Sequence, residues 1–384
     1  MRGEHSRVQL PRTGWRGRAL VASLMVGALA AGSAVIAMTP RSSADLTRLS
    51  ASPAAVACAD PATMPLRAAL AQTLMVGAAA PSRKELSLLA ELGIGGVFLH
   101  GDGSKELTDG RLQRLAAAAV RPLVSVDDEG GRVQRIQALA GSMRSARNQS
   151  QTLSTDQVRA LARKRGERLL RYGITMDLAP VVDLGGSNPA IGDRSYSGRP
   201  KRVTRYAGAF AAGLRDAGVM PTLKHFPGHG RAVGDSHRGQ AVTPPVASLR
   251  ERDWVPYHAL VGTGVAVMMG HLTVPGLSSK GLPASLDPAV YRVLRTEIGF
   301  SGLIVTDELS NMKAVRDRFG LHEALRRALA AGADLTLFFA EPERVPRLLS
   351  RLESDVTHGR LSEARVREAA QRILAAKSCG QPRG

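Results

Sequence analysis

Cysteine is nearly absent: Cys58 and Cys379 are the only two in 384 residues, so at most one disulfide can form within a chain. Aromatic side chains make up 4% of the sequence, and no basic run interleaves with them. That excludes the stacked-base platform of a single-strand nucleic-acid binder. Acids are scarce beside bases, 33 Asp and Glu against 52 Lys and Arg, giving a formal charge of +19. No fixed-period repeat or low-complexity tract follows residue 60, which excludes a repeat array. What remains is a chain with about 325 residues beyond that point, enough for one large domain with a substantial core.

The first 41 residues differ in composition from the rest. Arg2, Arg7, Arg12, Arg16 and Arg18 precede an apolar run over 19–38 that ends at Thr39-Pro40-Arg41. Residues 1–41 thus read as a signal peptide or an N-terminal membrane anchor. Gly27, Gly32, Ser33 and many alanines lower the hydrophobicity of the run and favour a cleaved signal. Either reading places the remainder outside the cytoplasm, extracellular or in the cell envelope. Residues 42–60, rich in Ser, Ala and Pro, form a flexible linker, and 61–384 form the folded domain. In an exported protein the two cysteines that bracket this domain most simply pair as Cys58–Cys379. The competing use of Cys58, after Ala55-Val56-Ala57, is lipid attachment, but it lies far beyond the apolar run. Residues 1–41 carry +5 of the charge, and the rest still carries about +14. Attraction to an anionic envelope is one use for it. The other reading is an Arg-rich composition with no binding role.

Short apolar, β-branched runs at 73–76, 95–99, 122–126, 174–182, 220–224, 265–270, 302–306 and 333–339 alternate with helical patterns such as 204–217, 321–331 and 363–377. Eight such repeats predict an α/β fold, a single (β/α)₈ barrel; a doubly wound open sheet is the alternative. Polar residues cluster where these strands end: Asp127, Asp183, Lys224 with His225, His271 and Asp307. In a barrel those ends form one face, the face that carries active sites.

The densest of these clusters is Lys224-His225-Phe226-Pro227-Gly228-His229-Gly230, followed by Gly234-Asp235-Ser236-His237. Gly and Pro allow turns that a regular element does not, so this reads as a loop rich in proton carriers. His225, His229 and His237 with Asp235 could ligate a metal. The i, i+4 histidines are interrupted by Pro227 and Gly228, however, and cannot share a helical face as a metalloprotease pair does. The other reading is an Asp235–His237 dyad, in which the carboxylate orients an imidazole suited to proton transfer. Asp307, in Ile304-Val305-Thr306-Asp307-Glu308-Leu309, fits either a nucleophile held rigidly at a strand end or a helix N-cap. The stretch Asp127-Asp128-Glu129-Gly130-Gly131-Arg132-Val133-Gln134-Arg135 offers acceptors and forked donors for a hydroxyl-rich ligand, or a tight turn with internal ion pairs. Arg194, in Gly192-Asp193-Arg194-Ser195, is by itself an ordinary surface arginine.

Taken together and in this order, these motifs resemble the bacterial β-N-acetylglucosaminidases of glycoside hydrolase family 3, over about residues 65–345. The resemblance implies a single barrel, no cofactor, no resident metal and a retaining two-step mechanism. It makes Asp307 the nucleophile and His237, paired with Asp235, the general acid/base. Asp127, Arg135, Arg194, Lys224 and His225 then grip the sugar. The implied substrate is a terminal β-linked N-acetylglucosamine, as in peptidoglycan fragments or muropeptides, handled by a monomer with no nucleic-acid partner. Glu308 departs from the Asp that often follows the nucleophile. The export signal departs from relatives that work in the cytoplasm, so intact wall and shed fragments are both open as substrates. The rivals are a phosphorylase, since histidine in place of an acid/base carboxylate repels phosphate less, a non-catalytic wall-binding module, and a metal-dependent hydrolase.

Overall fold

The structure is a computed structural model that describes residues 60–101, 107–118, 120–186, 188–279 and 281–377. The expected signal or anchor, the linker up to residue 59, and both cysteines of the expected disulfide lie outside the described residues.

Eight parallel strands form the core: β1 (Leu74–Ala79), β2 (Gly96–His100), β3 (Leu123–Val126), β4 (Met176–Asp177), β5 (Met220–Phe226), β6 (Ala266–Met269), β7 (Ile304–Thr306) and β8 (Thr336–Phe339). From β2 to β7 each pairs with its predecessor in sequence, and β8 pairs with β1 in the register Leu74↔Thr336. The last seam, between β7 and β8, closes through the bridge Val305↔Leu335 and the Thr306 N–H to Leu335 carbonyl bond of 3.0 Å. The barrel expected from the alternating pattern is therefore present, and all eight expected runs contain a strand.

Alternation along each strand sorts side chains to two sides. Met75, Phe98, Leu123, Met176, Met268, Val305 and Leu337 fill the lumen, while Val76, Val97, Val124, Val267 and Ile304 pack outward under the helices. The helical layer includes α1 (Leu66–Gln72), α2 (Arg83–Glu91), α3 (Thr155–Arg171), α4 (Pro200–Asp216), α5 (Val255–Leu260), α6 (Leu321–Ala331), α7 (Val345–Thr357) and α8 (Glu363–Ala376). Local sequence starts several of them. Ser82 with Glu85 and Ser154 with Gln157 form capping boxes on α2 and α3, and Pro200 opens α4. The helix α8 also supplies the barrel floor, since Ile373 joins the lumen cluster and Ala376 packs on it.

One strand is shorter than its sequence run. Of residues 174–182 only Met176–Asp177 forms a ladder, because Pro180 has no N–H to give. A single bridge, Val181↔Lys224, restores contact with β5. The chain then turns out at Asp183, which places a carboxylate at the barrel mouth.

Candidate active site

Lys224, in β5, points its ammonium at two carboxylates. It lies 2.5 Å from Asp127 Oδ1 and 2.6 Å from Glu129 Oε1, and only 2% of its side chain is exposed. Glu129 also takes both forks of Arg194, 2.7 Å each. Two cations thus face two anions, and this balance lets the group exist without bulk water. Burial pushes Glu129 up, but Arg194 and Lys224 outweigh it and hold the carboxyl well below its usual range. Burial likewise pulls Lys224 down, and Asp127 and Glu129 override it, so the ammonium persists.

These acids ride on a small hairpin, Asp128–Gly130 against Val133–Gln134. The internal ion pairs that the motif allowed are not what forms. Asp128 reaches Arg165 on α3, Glu129 reaches Arg194 and Lys224, and Arg132 binds Asp193 at 2.6 Å. The hairpin is anchored outward, to three other parts of the barrel. Arg135 follows it and lines a cleft of ≈ 450 Å³ with Gly101, Gln134, Gln137 and Ala138. Its Nε is buried without a partner.

Asp183 organises the next sector. Its Oδ2 accepts from the His225 ring Nδ1 at 2.7 Å and from the His225 N–H at 3.2 Å, while Oδ1 accepts from the His229 N–H at 2.6 Å. Burial raises this carboxyl, and the two histidines bring it below its ordinary value. The loop after β5 is shaped by glycine at close quarters. A Cβ on Gly230 would stand 1.8 Å from the Leu184 carbonyl oxygen, and Gly234 has φ +93 with its Cβ direction 2.4 Å from the Gln240 carbonyl. Only glycine permits both.

At the far end of this loop His237 Nδ1 lies 2.7 Å from Asp235 Oδ1, which also accepts the His237 N–H at 3.0 Å. The His237 side chain is 61% exposed. Asp307 sits across the mouth at the end of β7. Its Oδ1 accepts from the N–H of Glu308 at 2.8 Å, a bond to the next residue and not a helix cap. The turn-holding role falls to Glu308, whose carboxylate takes the N–H groups of Ser310 at 2.6 Å and Asn311 at 2.8 Å. Burial pushes Asp307 up, but His271, His225, the Glu308 N–H and His237 together bring it down to about 2. An anionic oxygen ringed by imidazoles is the charge pattern of a carboxylate nucleophile opposite a proton donor.

Several participants were not assigned their part in the site from the sequence. Glu129 and His229 lay inside flagged motifs, and Asp183 and His271 at flagged strand ends, yet residue type alone did not assign them. His271 is buried between Ser285 Oγ at 2.6 Å and the Glu308 carbonyl at 2.9 Å, and so steadies the residue beside Asp307. His100, ending β2, packs edge-on against Phe339, ending β8, with ring centroids 5.1 Å apart. Burial and Arg135 lower the His100 pKa against the pull of Asp127 and Glu308, which shows that these groups share one mouth. The loop histidines are otherwise engaged: His225 with Asp183, and both nitrogens of His229 with Asn188 and Ser236. Among the described residues no group of three or more His, Cys, Asp or Glu side chains is placed to hold a metal ion.

Residues 65–376 match the Glycosyl hydrolase family 3 N terminal domain. The chain belongs to glycoside hydrolase family 3. It is 45% identical over 343 residues to Beta-hexosaminidase LpqI of Mycobacterium tuberculosis, covering 84% of this chain and 88% of that protein. The Beta-hexosaminidase of Stenotrophomonas maltophilia is 35% identical over 62% of this chain and 73% of its own. Among solved structures, a glycosyl hydrolase family 3 member of Mycobacterium smegmatis superposes with a TM-score of 0.79 at 45% identity, over 85% of this chain and all of that one. The family 3 beta-N-acetylglucosaminidase of Paenibacillus sp. gives 0.76 at 30% identity, over 84% of this chain and 64% of the other. As a family 3 member the chain is a glycoside hydrolase, and the polar mouth described above is its candidate catalytic centre.

Proposed function

We propose that this glycoside hydrolase is a retaining exo-β-N-acetylglucosaminidase that releases terminal β-linked N-acetylglucosamine from peptidoglycan-derived saccharides outside the cytoplasm. The observation that carries the reading is the pairing of an anionic Asp307 with an exposed imidazole held by Asp235. The relatives named as beta-hexosaminidases support the sugar, and the N-terminal composition supports export.

The two steps balance on these groups. Asp307 attacks the anomeric carbon as the glycosidic C–O bond breaks, and the protonated His237 gives its proton to the departing oxygen. The neutral imidazole then takes a proton from water, whose oxygen displaces Asp307 and restores the carboxylate. Asp235 stabilises the imidazolium in between. Asp127, Arg135, Arg194, Lys224 and His225 would hold the sugar hydroxyls and the acetamido group from the opposite wall.

The test is hydrolysis of an aryl β-N-acetylglucosaminide by the full chain, beside Asp307→Ala and with the first-formed anomer read by NMR. Turnover giving the β anomer, lost in the variant, supports the reading. Release of the α anomer would remove Asp307 from the nucleophile role. Sugar 1-phosphate in phosphate buffer would make the enzyme a phosphorylase, and sugar binding with no turnover in water or phosphate would make it a binding module.

A further inference from the structure

The Asp235–His237 dyad is a local contact between near neighbours in sequence, and the His237 side chain is 61% exposed. Its position is therefore set by whatever fixes the backbone at Ser236, the residue between its two members. Ser236 is buried, 1% exposed. Its carbonyl accepts the Ala314 N–H at 3.2 Å, and its hydroxyl lies 3.2 Å from the Nε2 of His229.

The proton positions on that histidine follow from its neighbours. Asn188 Oδ1 accepts the Ala190 N–H at 2.9 Å, while Asn188 Nδ2 stands 3.0 Å from each of the Ala232 and Gly234 carbonyls. Carbonyls only accept, so that atom is the amino group. Its two protons go to those carbonyls, and it also stands 3.3 Å from His229 Nδ1, where an amide nitrogen accepts nothing, so a proton on Nδ1 is disfavoured. A neutral imidazole has one proton, so Nε2 carries it and donates to Ser236. The same Asn188 amino group holds two carbonyls of the loop, and the His229 N–H is fixed by Asp183.

We propose that His229 is a positioning residue, a buried latch that in its neutral form holds Ser236 and thereby fixes the Asp235–His237 dyad opposite Asp307. The inference rests on the reading of His237 as general acid/base. The latch has a built-in sign. Protonating Nδ1 would set one N–H against the Asn188 amino group, so acid opens it. The charged or titratable groups facing His229 are Asp183, His225 with ring centroids 5.8 Å away, Asp307 and Asp235. Burial and His225 lower its pKa against Asp183, its own backbone carbonyl and Asp307, the direction that favours the neutral ring.

A latch that works through His237 gives a signature that plain structural damage does not. The variants are Ser236→Ala, which deletes one hydroxyl, and His229→Gln, whose amide can still donate to Ser236. Each is assayed in the full chain on an activated aryl β-N-acetylglucosaminide and on an alkyl one with a poor leaving group, alone and combined with His237→Ala. Ser236→Ala is expected to lower kcat on the alkyl substrate by on the order of 10²-fold or less, with a smaller loss on the aryl one and an unchanged KM. His229→Gln, which keeps a donor to the Ser236 hydroxyl, is expected to lose much less than Ser236→Ala. In the His237→Ala background neither variant should change the rate by more than about twofold, since the group they position is gone. Equal losses on both substrates, or losses that add to that of His237→Ala, overturn the latch while leaving the acid/base assignment standing. If His237→Ala itself shows no leaving-group dependence, the acid/base reading fails and the latch fails with it.

Discussion

At the level of single residues the site works by compensated charge. Lys224 is the clearest case, because a buried ammonium holds two carboxylates that would otherwise repel each other. Lys224→Met leaves Asp127 without its cation and Glu129 with Arg194 alone, and removing one partner from a buried ion pair costs about 3–5 kcal/mol. Thermal or urea unfolding should show a loss of that size, and sugar binding should weaken with it. Asp307 carries a pH signature of known sign. Its folded-state pKa of about 2 lies below the ordinary unfolded value, so it contributes stability that is present above that value. The contribution is lost as pH falls through about 2. The stability advantage of the wild type over Asp307→Asn in urea should therefore shrink between about pH 4 and the folded pKa. The alternatives left open in the sequence divide here too. Asp307 is not a helix cap, because its carboxylate bonds the next N–H while Glu308 holds the turn.

The elements position the chemistry more than they perform it. Eight strands deliver polar residues to one edge, and the loop after β5 folds back across that edge to carry the dyad. Its path is dictated by close approach. Because a Cβ at Gly230 would collide with the Leu184 carbonyl, Gly230→Ala should displace the loop. Such overpacking costs about 1–3 kcal/mol, which a domain of this size tolerates. The expected outcome is an enzyme with native circular dichroism that hydrolyses poor-leaving-group substrates far more slowly. A variant with unimpaired turnover would show that the loop has another route. The helices at 321–331 and 363–376 were legible because their apolar spacing is helical. The β4 segment was legible only in part, since an apolar run of nine residues does not reveal that Pro180 ends the ladder early.

At the scale of the molecule, the barrel is plugged from below by α8. Ile373, fully buried, projects into the lumen cluster. Ile373→Ala should cost about 2–5 kcal/mol in an unfolding titration, because the cavity opens in the most constrained part of the core. A cost near zero would mean that the floor collapses freely around α8. Charge acts over longer distances. With about +14 carried by residues 42–384, adsorption to purified anionic cell wall should weaken steeply as salt rises from low to physiological strength, as screening shortens the reach of the field. Salt-independent adsorption would point to specific sugar contacts.

The sequence by itself determined the strand–helix alternation and the barrel, and its resemblance to the family supplied the candidates Asp127, Arg135, Arg194, Lys224, His225, Asp235, His237 and Asp307. Periodicity and strand-end position are local properties, and these residues sit in motifs whose members are adjacent in the chain. Only the tertiary structure decided who compensates whom. That Glu129 bridges Lys224 and Arg194, that Asp183 gathers His225 and His229, and that Asn188 stands against the His229 ring are relations between residues tens of positions apart. Which carboxylate meets which cation is settled by closing the barrel, because strand order and register, and no local pattern, bring those side chains to the same edge.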